Sequence, residues 1–166
     1  MPCEVECRVR DKSHGFSLVE LALAVAVLAA LLYFLLDRVL YMQEMGEKTE
    51  VEETIRSINY ALRLEAASRL ARGPEPHRPP LEKENPIKWL QTPPRNYLGE
   101  MEKPPAHARP SYWYFHPGER QLVYRPNRAE HLKVEGLKQK ELRFVVGSGG
   151  DLPHPRLISH FSYAWL

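Results

Sequence analysis

The sequence predicts an α+β protein in which a long N-terminal helix packs on a small antiparallel β-sheet head. Three patterns predict this fold: an apolar run over residues 16–36, a run of helical period over 37–72, and alternating apolar and polar residues in the last third. The first half of the helix is expected to span a membrane, and the second half to be amphipathic. The expected organisation is a leader peptide over 1–15, the transmembrane helix over 16–36, the amphipathic half over 37–72, a Pro-rich loop over 73–110 and the sheet over 111–166, which forms the head together with 37–110.

The apolar run, FSLVELALAVAVLAALLYFLL, contains 21 residues and one charge, Glu20. At about 1.5 Å per residue, it forms roughly 30 Å of helix, which matches the thickness of a bilayer core. A secretory signal peptide has a shorter apolar core followed by a small-residue cleavage site, whereas here the small residue, Gly15, precedes the run. A carboxylate at the bilayer centre costs roughly 2.5–3.5 kcal/mol. Glu20 is therefore a candidate functional residue.

The segment 37–72 continues the helix with one apolar face. Apolar residues recur there at spacings of four, three, four and four, and they are Val51, Ile55, Ile58, Leu62 and Ala66. Charged residues are expected to fill the other faces, among them Glu47, Glu50, Glu53, Arg56, Arg63 and Arg69. Gly73-Pro74 predicts the end of the helix. A helix of about 55 residues exceeds what an ordinary globular domain holds, which favours one half in a membrane or filament core and one half on a head.

The segment 73–110 contains ten of the fifteen prolines and is expected to be a loop with little regular structure. One short helical turn is predicted within it, because Asn85 is a good N-cap and Pro86 suits the first helical position. Trp89 and Leu90 are expected to hold this turn against the core.

The last third of the chain predicts four short antiparallel strands. Ser111–His116 and Arg120–Arg125 flank Pro117-Gly118-Glu119 and predict a hairpin. The alternating segments 142–146 and 157–165 supply the other two strands, and 147–150, GSGG, is expected to be the turn between them.

Composition excludes several function classes. The chain has 23 basic and 21 acidic residues, a balance that argues against nucleic-acid binding. Cys3 and Cys7 form a C-x3-C pair without further ligands nearby, so they are a poor zinc site. Asp151, His154 and His160 follow a Gly-rich stretch, but calcium requires six to eight oxygen ligands. No nucleophile–base order, nucleotide loop or paired-acid spacing is present, so we expect no metal, no cofactor and no enzymatic activity.

The aromatic run Tyr112-Trp113-Tyr114-Phe115 has two interpretations. Exposed aromatic side chains bind sugars, and such a patch is expected of an adhesin. On a strand, however, alternate residues point to opposite faces. The run is therefore more typical of core packing on one side and packing under a loop on the other.

The segment Gly15-Phe16-Ser17-Leu18-Val19-Glu20, in register with the apolar run, resembles the prepilin peptidase site of type IV pilins and type II secretion pseudopilins. That family has a short polar leader, Gly before the cut, Phe after it and Glu at the fifth mature position. The resemblance is strongest over residues 8–40 and extends to the plan of a long helix on an antiparallel sheet.

The resemblance implies a cytoplasmic leader, an inner-membrane helix in lipid and a periplasmic head. A prepilin peptidase would cut after Gly15 and methylate the amine of Phe16. An assembly ATPase and platform protein would move the subunit into a pilus or pseudopilus, where its N-terminal helix contacts other pilins or pseudopilins. Glu20 would neutralise the Phe16 amine of a neighbouring subunit, since an unpaired charge is costly in an apolar filament core. Cleavage would also leave a mature chain without cysteine.

Two departures from the family pattern favour a minor pilin or a pseudopilin. Many major pilins carry a proline where this chain has Asp37, and many have a C-terminal disulfide loop, which a chain without cysteine after residue 15 cannot form. The stretch 84–100, with 112–114 and 122–125, is similar to minor pilins of the mannose-sensitive haemagglutinin type. A filament-tip adhesin and a plain single-pass membrane-anchored periplasmic protein remain the alternatives.

Overall fold

A computed structural model describes residues 17–75, 77–135, 140–149 and 152–165. Residues 1–15, which were predicted to be a leader and contain Cys3 and Cys7, lie outside the described residues, as do Phe16 and Asp151. The chain divides into two compact units, Met1–Tyr41 and Met42–Leu166. The first contains the apolar part of the long helix. The second, called the head below, contains the rest of that helix and all of the strands.

One helix, α1, runs from Leu18 to Arg72 over 55 residues. It ends where the sequence predicts, because Gly73 has φ 86°, a left-handed conformation that favours glycine. The Gly73 N–H donates to the Arg69 carbonyl at 3.1 Å and closes the last turn. The long continuous helix is thus confirmed over the described residues.

The described residues of the head form two sheets. A five-stranded sheet has the order β1-β2-β3-β5-β6, and a two-stranded antiparallel sheet pairs β4 with β7. The strands are β1 Tyr97–Glu100, β2 Tyr112–His116, β3 Gln121–Arg125, β4 Leu132–Val134, β5 Leu142–Gly149, β6 Leu152–Ser159 and β7 Tyr163–Trp165. The larger sheet is mixed, because β1 lies parallel to β2 while the other neighbours are antiparallel.

The predicted apolar face of α1 packs on the larger sheet. Val51, Ile58 and Leu62 are buried, and Ile55 and Ala66 are half-buried against the same core. Their partners from the strands include Trp113, Leu122, Tyr124, Leu142 and Phe144. Burying each Leu, Ile or Val contributes about 1.5–3 kcal/mol, so this contact is a main source of the stability of the head.

The aromatic run divides between the two faces of the sheet, as alternation predicts. Trp113 and Phe115 join the core under α1, whereas Tyr112 and Tyr114 are buried on the opposite face with Val123. Met101 and Ala108, from the loop between β1 and β2, cover this second cluster. The run is therefore packing on both sides, and it is not the exposed aromatic patch expected of an adhesin.

The predicted hairpin is confirmed, with β2 and β3 joined by a turn over 117–120 and Tyr112 opposite Arg125. The predicted helical turn is also confirmed as a 3₁₀ helix, Pro86–Trp89, in which the Asn85 side chain accepts from the Ile87 N–H at 3.0 Å. Trp89 and Leu90 are half-buried against the core, as expected.

The expectation of one sheet of four antiparallel strands is wrong, because seven strands are described in two sheets and β1 lies parallel to β2. The Pro-rich segment, expected to have little regular structure, contains a further 3₁₀ helix, Leu81–Lys83, and strand β1, whose residues YLGE do not alternate between apolar and polar in the sequence. The stretch 157–165 is not one strand: β6 ends at Ser159 and β7 belongs to the second sheet. Alternation continues across this break, so periodicity does not reveal it. Gly147 and Gly149 lie within β5, where the register shifts between them, and not in a turn.

A side chain of α1 bonds to the outer edge of β6 at one position. The Leu157 N–H, which faces away from β5, donates to Asn59 Oδ1 of the helix at 2.7 Å. Pro155 stands two positions earlier on the same edge and has no N–H. The backbone donor on this edge is therefore absent at Pro155 and occupied at Leu157.

Candidate functional site: the apolar helix segment and the helix clamp of the head

The first unit offers an apolar helix surface. An 18-residue window of α1 has a mean hydropathy of 2.6, and none of the window is buried. Among the described helices, α1 alone is long and apolar enough to cross a membrane, judged by length and composition. Side chains from Leu18 to Leu36 are exposed. In water this surface would be costly, since each square ångström of exposed apolar surface costs roughly 25 cal/mol.

Glu20 is exposed in the first turn of α1. Ser17 precedes the helix as its N-cap: its carbonyl accepts from the Leu21 N–H at 3.0 Å, and its Oγ lies 3.4 Å from the Val19 nitrogen. A carboxylate in the first turn interacts favourably with the positive end of the helix dipole. Gly15 and Phe16, the predicted cleavage and methylation residues, lie outside the described residues, so their relation to Glu20 stays a prediction.

The head holds a cluster of charged side chains that sequence reasoning missed. We call Glu44, Glu47 and Lys48 the helix clamp, because together they bond two later parts of the chain, residues 127–131 and Trp165, to α1. Glu44 is 2% exposed and accepts from the His131 N–H at 2.9 Å and from Trp165 Nε1 at 3.0 Å. Its second oxygen lies 2.9 Å from His131 Nδ1.

The ionised state of Glu44 depends on these donors. Burial by itself would raise the pKa of the Glu44 carboxyl. The hydrogen bonds from the His131 ring, the His131 backbone and Trp165 outweigh burial, so the pKa lies below its usual value. The clamp therefore holds a buried carboxylate that is charged near neutral pH and fully hydrogen-bonded to the chain.

Glu47 and Lys48 extend the same contact. Glu47 accepts from the Tyr124 hydroxyl and the Asn127 N–H, each at 2.7 Å, and from the Arg128 N–H at 3.1 Å. Lys48 Nζ donates to the Trp165 carbonyl at 2.7 Å. The clamp thus ties the segment 127–131 and the last described strand to one side of the helix.

The clamp corrects one expectation. Glu47 was expected on a solvated face, yet it is half-buried and bonded to three groups. The sequence does contain a signal for this burial. Glu44, Glu47 and Lys48 precede Val51 and Ile55 at the same three- and four-residue spacings, so they continue the face of the helix that packs on the core. The prediction missed it because it assigned charged residues to exposed positions.

Arg69 also differs from its expected place on a solvated face. It donates to Glu65 at 2.9 Å, to Glu84 at 2.8 Å and to the Pro79 carbonyl at 2.7 Å. Its guanidinium lies 5.2 Å from the ring centroid of Trp89. These contacts fasten the end of α1 to the Pro-rich segment, and the hydrogen bonds raise the pKa of Arg69 against the opposing effect of burial.

Neither a family model, nor a curated protein, nor a solved structure matches this chain. The geometry therefore has to be interpreted from its own residues. Among the described residues, no group of three or more His, Cys, Asp or Glu side chains is arranged to hold a metal ion. His154 and His160 are exposed.

Proposed function

We propose that this chain is a minor pilin or pseudopilin, a structural subunit of a type IV pilus-like or type II secretion filament. In this proposal it is cleaved after Gly15 and N-methylated at Phe16. It first resides in the bacterial inner membrane with its N-terminus cytoplasmic and its head periplasmic, and it then enters the filament. Its role is structural and not catalytic.

One observation carries the proposal: a 55-residue helix has an exposed apolar first part and a second part that forms the core of a compact head. A plain membrane anchor does not require its spanning helix to continue unbroken into the centre of the folded domain. A subunit that moves from a membrane into a filament gains from this continuity, because one helix supplies both the apolar surface and the core of the head. The Gly15–Glu20 motif supports the same proposal independently.

The partners follow from the motif and the helix. A prepilin peptidase would process the chain, and an assembly platform would extract it from lipid. Other pilins or pseudopilins would pack against the exposed apolar side chains of α1. Glu20, in the first turn, would then neutralise the Phe16 amine of a neighbour in a low-dielectric surrounding.

N-terminal mass spectrometry of the protein from cells with and without an active prepilin peptidase tests the proposal. We expect the mature chain to begin at N-methylated Phe16 only when the peptidase is active. Gly15→Leu should leave the precursor uncut, because a glycine at this position lets the chain enter the protease groove. Ser13→Leu, two positions away in the leader, is the matched control and should be cut normally.

An intact N-terminus in the presence of the active peptidase, or a start at any other residue, would leave the plain membrane-anchored protein as the better interpretation. Cleavage without recovery in sheared filaments would place the protein in the membrane only and contradict the filament role.

A further inference from the structure

A small open cleft lies in the head between the 3₁₀ helix Pro86–Trp89 and strand β1, at the edge of the larger sheet. Its volume is about 340 Å³, which falls at the lower end of the range for small-ligand sites. Ile87, Leu90 and Pro93 form its apolar wall. We call it the β1 cleft, and four polar side chains also line it: Asn85, Lys88, Tyr97 and Glu100. An apolar wall beside a few grouped polar side chains is typical of sites that bind small molecules.

The polar side chains of the β1 cleft form one hydrogen-bonded row. The Asn85 Nδ2 donates to the Tyr97 hydroxyl at 2.7 Å and to Glu100 Oε1 at 3.1 Å. Lys88 Nζ lies 2.9 Å from the same Glu100 oxygen. Asn85 is 3% exposed, and its Oδ1 accepts from the Ile87 N–H, which fixes the orientation of the amide. The row is therefore held in place by a buried residue before a ligand arrives, and such preorganisation lowers the cost of binding.

Three members of the row retain hydrogen-bonding capacity that no described protein group uses. The Lys88 ammonium engages one acceptor, and Glu100 receives both of its bonds on Oε1, which leaves Oε2. The Tyr97 hydroxyl accepts from Asn85 and donates to no described side chain. The side chains of Lys88 and Glu100 are 62% and 40% exposed. The cleft thus offers ammonium N–H donors, one carboxylate oxygen and one phenol O–H to a ligand.

The charges in the β1 cleft cancel. Among the residues that line it, Lys88 and Glu100 are the charged ones, and they have opposite signs. Each keeps the other ionised: the hydrogen bonds from Lys88 and Asn85 lower the pKa of Glu100, and the bond to Glu100 raises the pKa of Lys88. A ligand with a net charge therefore finds no excess of opposite charge here. A hydroxyl group both donates and accepts, so a neutral ligand with several hydroxyls pairs with both members.

We propose that the β1 cleft binds a saccharide through two adjacent hydroxyls of one neutral pyranose ring. Glu100 Oε2 accepts from one hydroxyl, the Lys88 ammonium donates to the other, and the Tyr97 hydroxyl donates to a further ring oxygen. The apolar wall contacts the C–H groups of the ring. Because the cleft is open, the remaining units of a longer saccharide extend into solvent. This binding site would give the head a recognition role in addition to the structural role proposed above, and it does not depend on that role.

Saturation-transfer difference NMR on the full chain in dodecylphosphocholine micelles tests the proposal, because this detergent contains no sugar. The probes are the methyl glycosides of glucose, galactose, mannose and N-acetylglucosamine. We expect at least one of them to bind with millimolar affinity. The comparison probe is γ-aminobutyrate, a zwitterion that would pair with Lys88 and Glu100 by charge alone, and we expect it to bind more weakly than the sugar. Failure of all four sugars to bind would overturn the inference, as would tighter binding of γ-aminobutyrate.

Substitutions in the row locate the binding. Lys88→Met and Glu100→Gln each remove one charge and nearly retain the size of the side chain, and each should raise the Kd of the sugar at least about fivefold. Tyr97→Phe, which loses only the hydroxyl, should raise it about threefold. Lys83→Met and Glu102→Gln make the same changes at exposed positions outside the cleft and should leave the Kd unchanged. Urea unfolding followed by tryptophan fluorescence checks that each variant folds.

The Tyr97→Phe variant keeps the test decisive if a charge substitution destabilises the head, because the aromatic ring and its packing remain. Parent affinity in all three cleft variants, or equal weakening in the two control variants, would overturn the assignment of the site. Sugar binding by a chain that is not cleaved at Phe16 would support this inference and contradict the filament proposal. Cleavage and filament entry without sugar binding would do the reverse.

Discussion

Trp165 Nε1 donates a hydrogen bond to Glu44 Oε1 at 3.0 Å, which joins two residues 121 positions apart in the sequence. The pair connects the last described strand to the first part of the helix that belongs to the head. The described strands before the last one all lie between Glu44 and Trp165 in the sequence. The hydrogen bond therefore joins the two ends of the head's chain at α1. The helix clamp is therefore a long-range contact whose partner residues local sequence patterns do not encode.

Replacing Glu44 by leucine should destabilise the head by about 1.5–3 kcal/mol. The substitution leaves the His131 N–H and Trp165 Nε1 without their acceptor in a buried position. Urea unfolding of the full chain in detergent micelles, followed by tryptophan fluorescence, measures the change. Glu52→Leu, on an exposed position of the same helix, is the control and should stay within about 0.5 kcal/mol of the parent. Equal effects would show that the clamp hydrogen bonds contribute nothing.

Lowering the pH should destabilise the head, because Glu44 and Glu100 then become protonated. The pKa of Glu44 is depressed despite its burial, and the pKa of Glu100 is depressed by hydrogen bonds from Lys88 and Asn85. A carboxyl whose pKa is lower in the folded state than in the unfolded state stabilises the fold when the pH is above its ordinary pKa of 4.5. This stabilisation is lost as the pH falls through the folded-state pKa. We expect the free energy of unfolding to fall steeply below pH 4.5. The slope of the unfolding free energy against pH should be smaller in Glu44→Gln. An unchanged slope would show that Glu44 does not contribute to the pH dependence.

Ile58→Asp should unfold or aggregate the head. Ile58 is 0% exposed at the centre of the contact between α1 and the sheet, and a buried unpaired carboxylate costs at least about 4 kcal/mol. Ser57→Asp places the same group one position earlier, where the side chain is exposed, and should be tolerated. Limited proteolysis of the membrane-bound protein distinguishes the two outcomes. A protease-resistant Ile58→Asp head would contradict the assigned core.

Glu20→Val should reduce incorporation into filaments while leaving membrane insertion intact. The apolar segment then carries no charge, so insertion is favoured, whereas in the proposed filament the Phe16 amine of a neighbour would lose its partner. We expect the fraction in sheared filaments to fall at least about fivefold relative to the membrane fraction. Leu21→Val, in the same turn, should have little effect. Equal incorporation with normal cleavage would limit Glu20 to recognition by the processing machinery, or place the subunit at a filament tip with no neighbour above it.

The helix was predictable from sequence because its signals are local. The apolar run, the recurrence from Val51 to Ala66 and the stop at Gly73 each lie within a few turns. The β2–β3 hairpin and the Asn85 cap were predictable for the same reason. Strand β1 was not, because its four residues become a strand only by pairing in parallel with β2 across a long connection.

The clamp and the split between β6 and β7 were not predictable either. Glu44 and Trp165 are brought together only when the whole head folds. Alternation over 157–165 describes which residues face inward, but it does not say which sheet they join. Such choices depend on long-range partners, and a single sequence does not specify them locally.

The contact between Asn59 and Leu157 has a consequence for encounters between two heads. An open sheet edge invites strands from other molecules and begins amyloid-like aggregation. Here the side chain of Asn59 occupies the Leu157 N–H and Pro155 offers none. A strand from another molecule therefore finds no free backbone N–H at these two positions. The helix that organises the core thus also limits edge-to-edge pairing between heads.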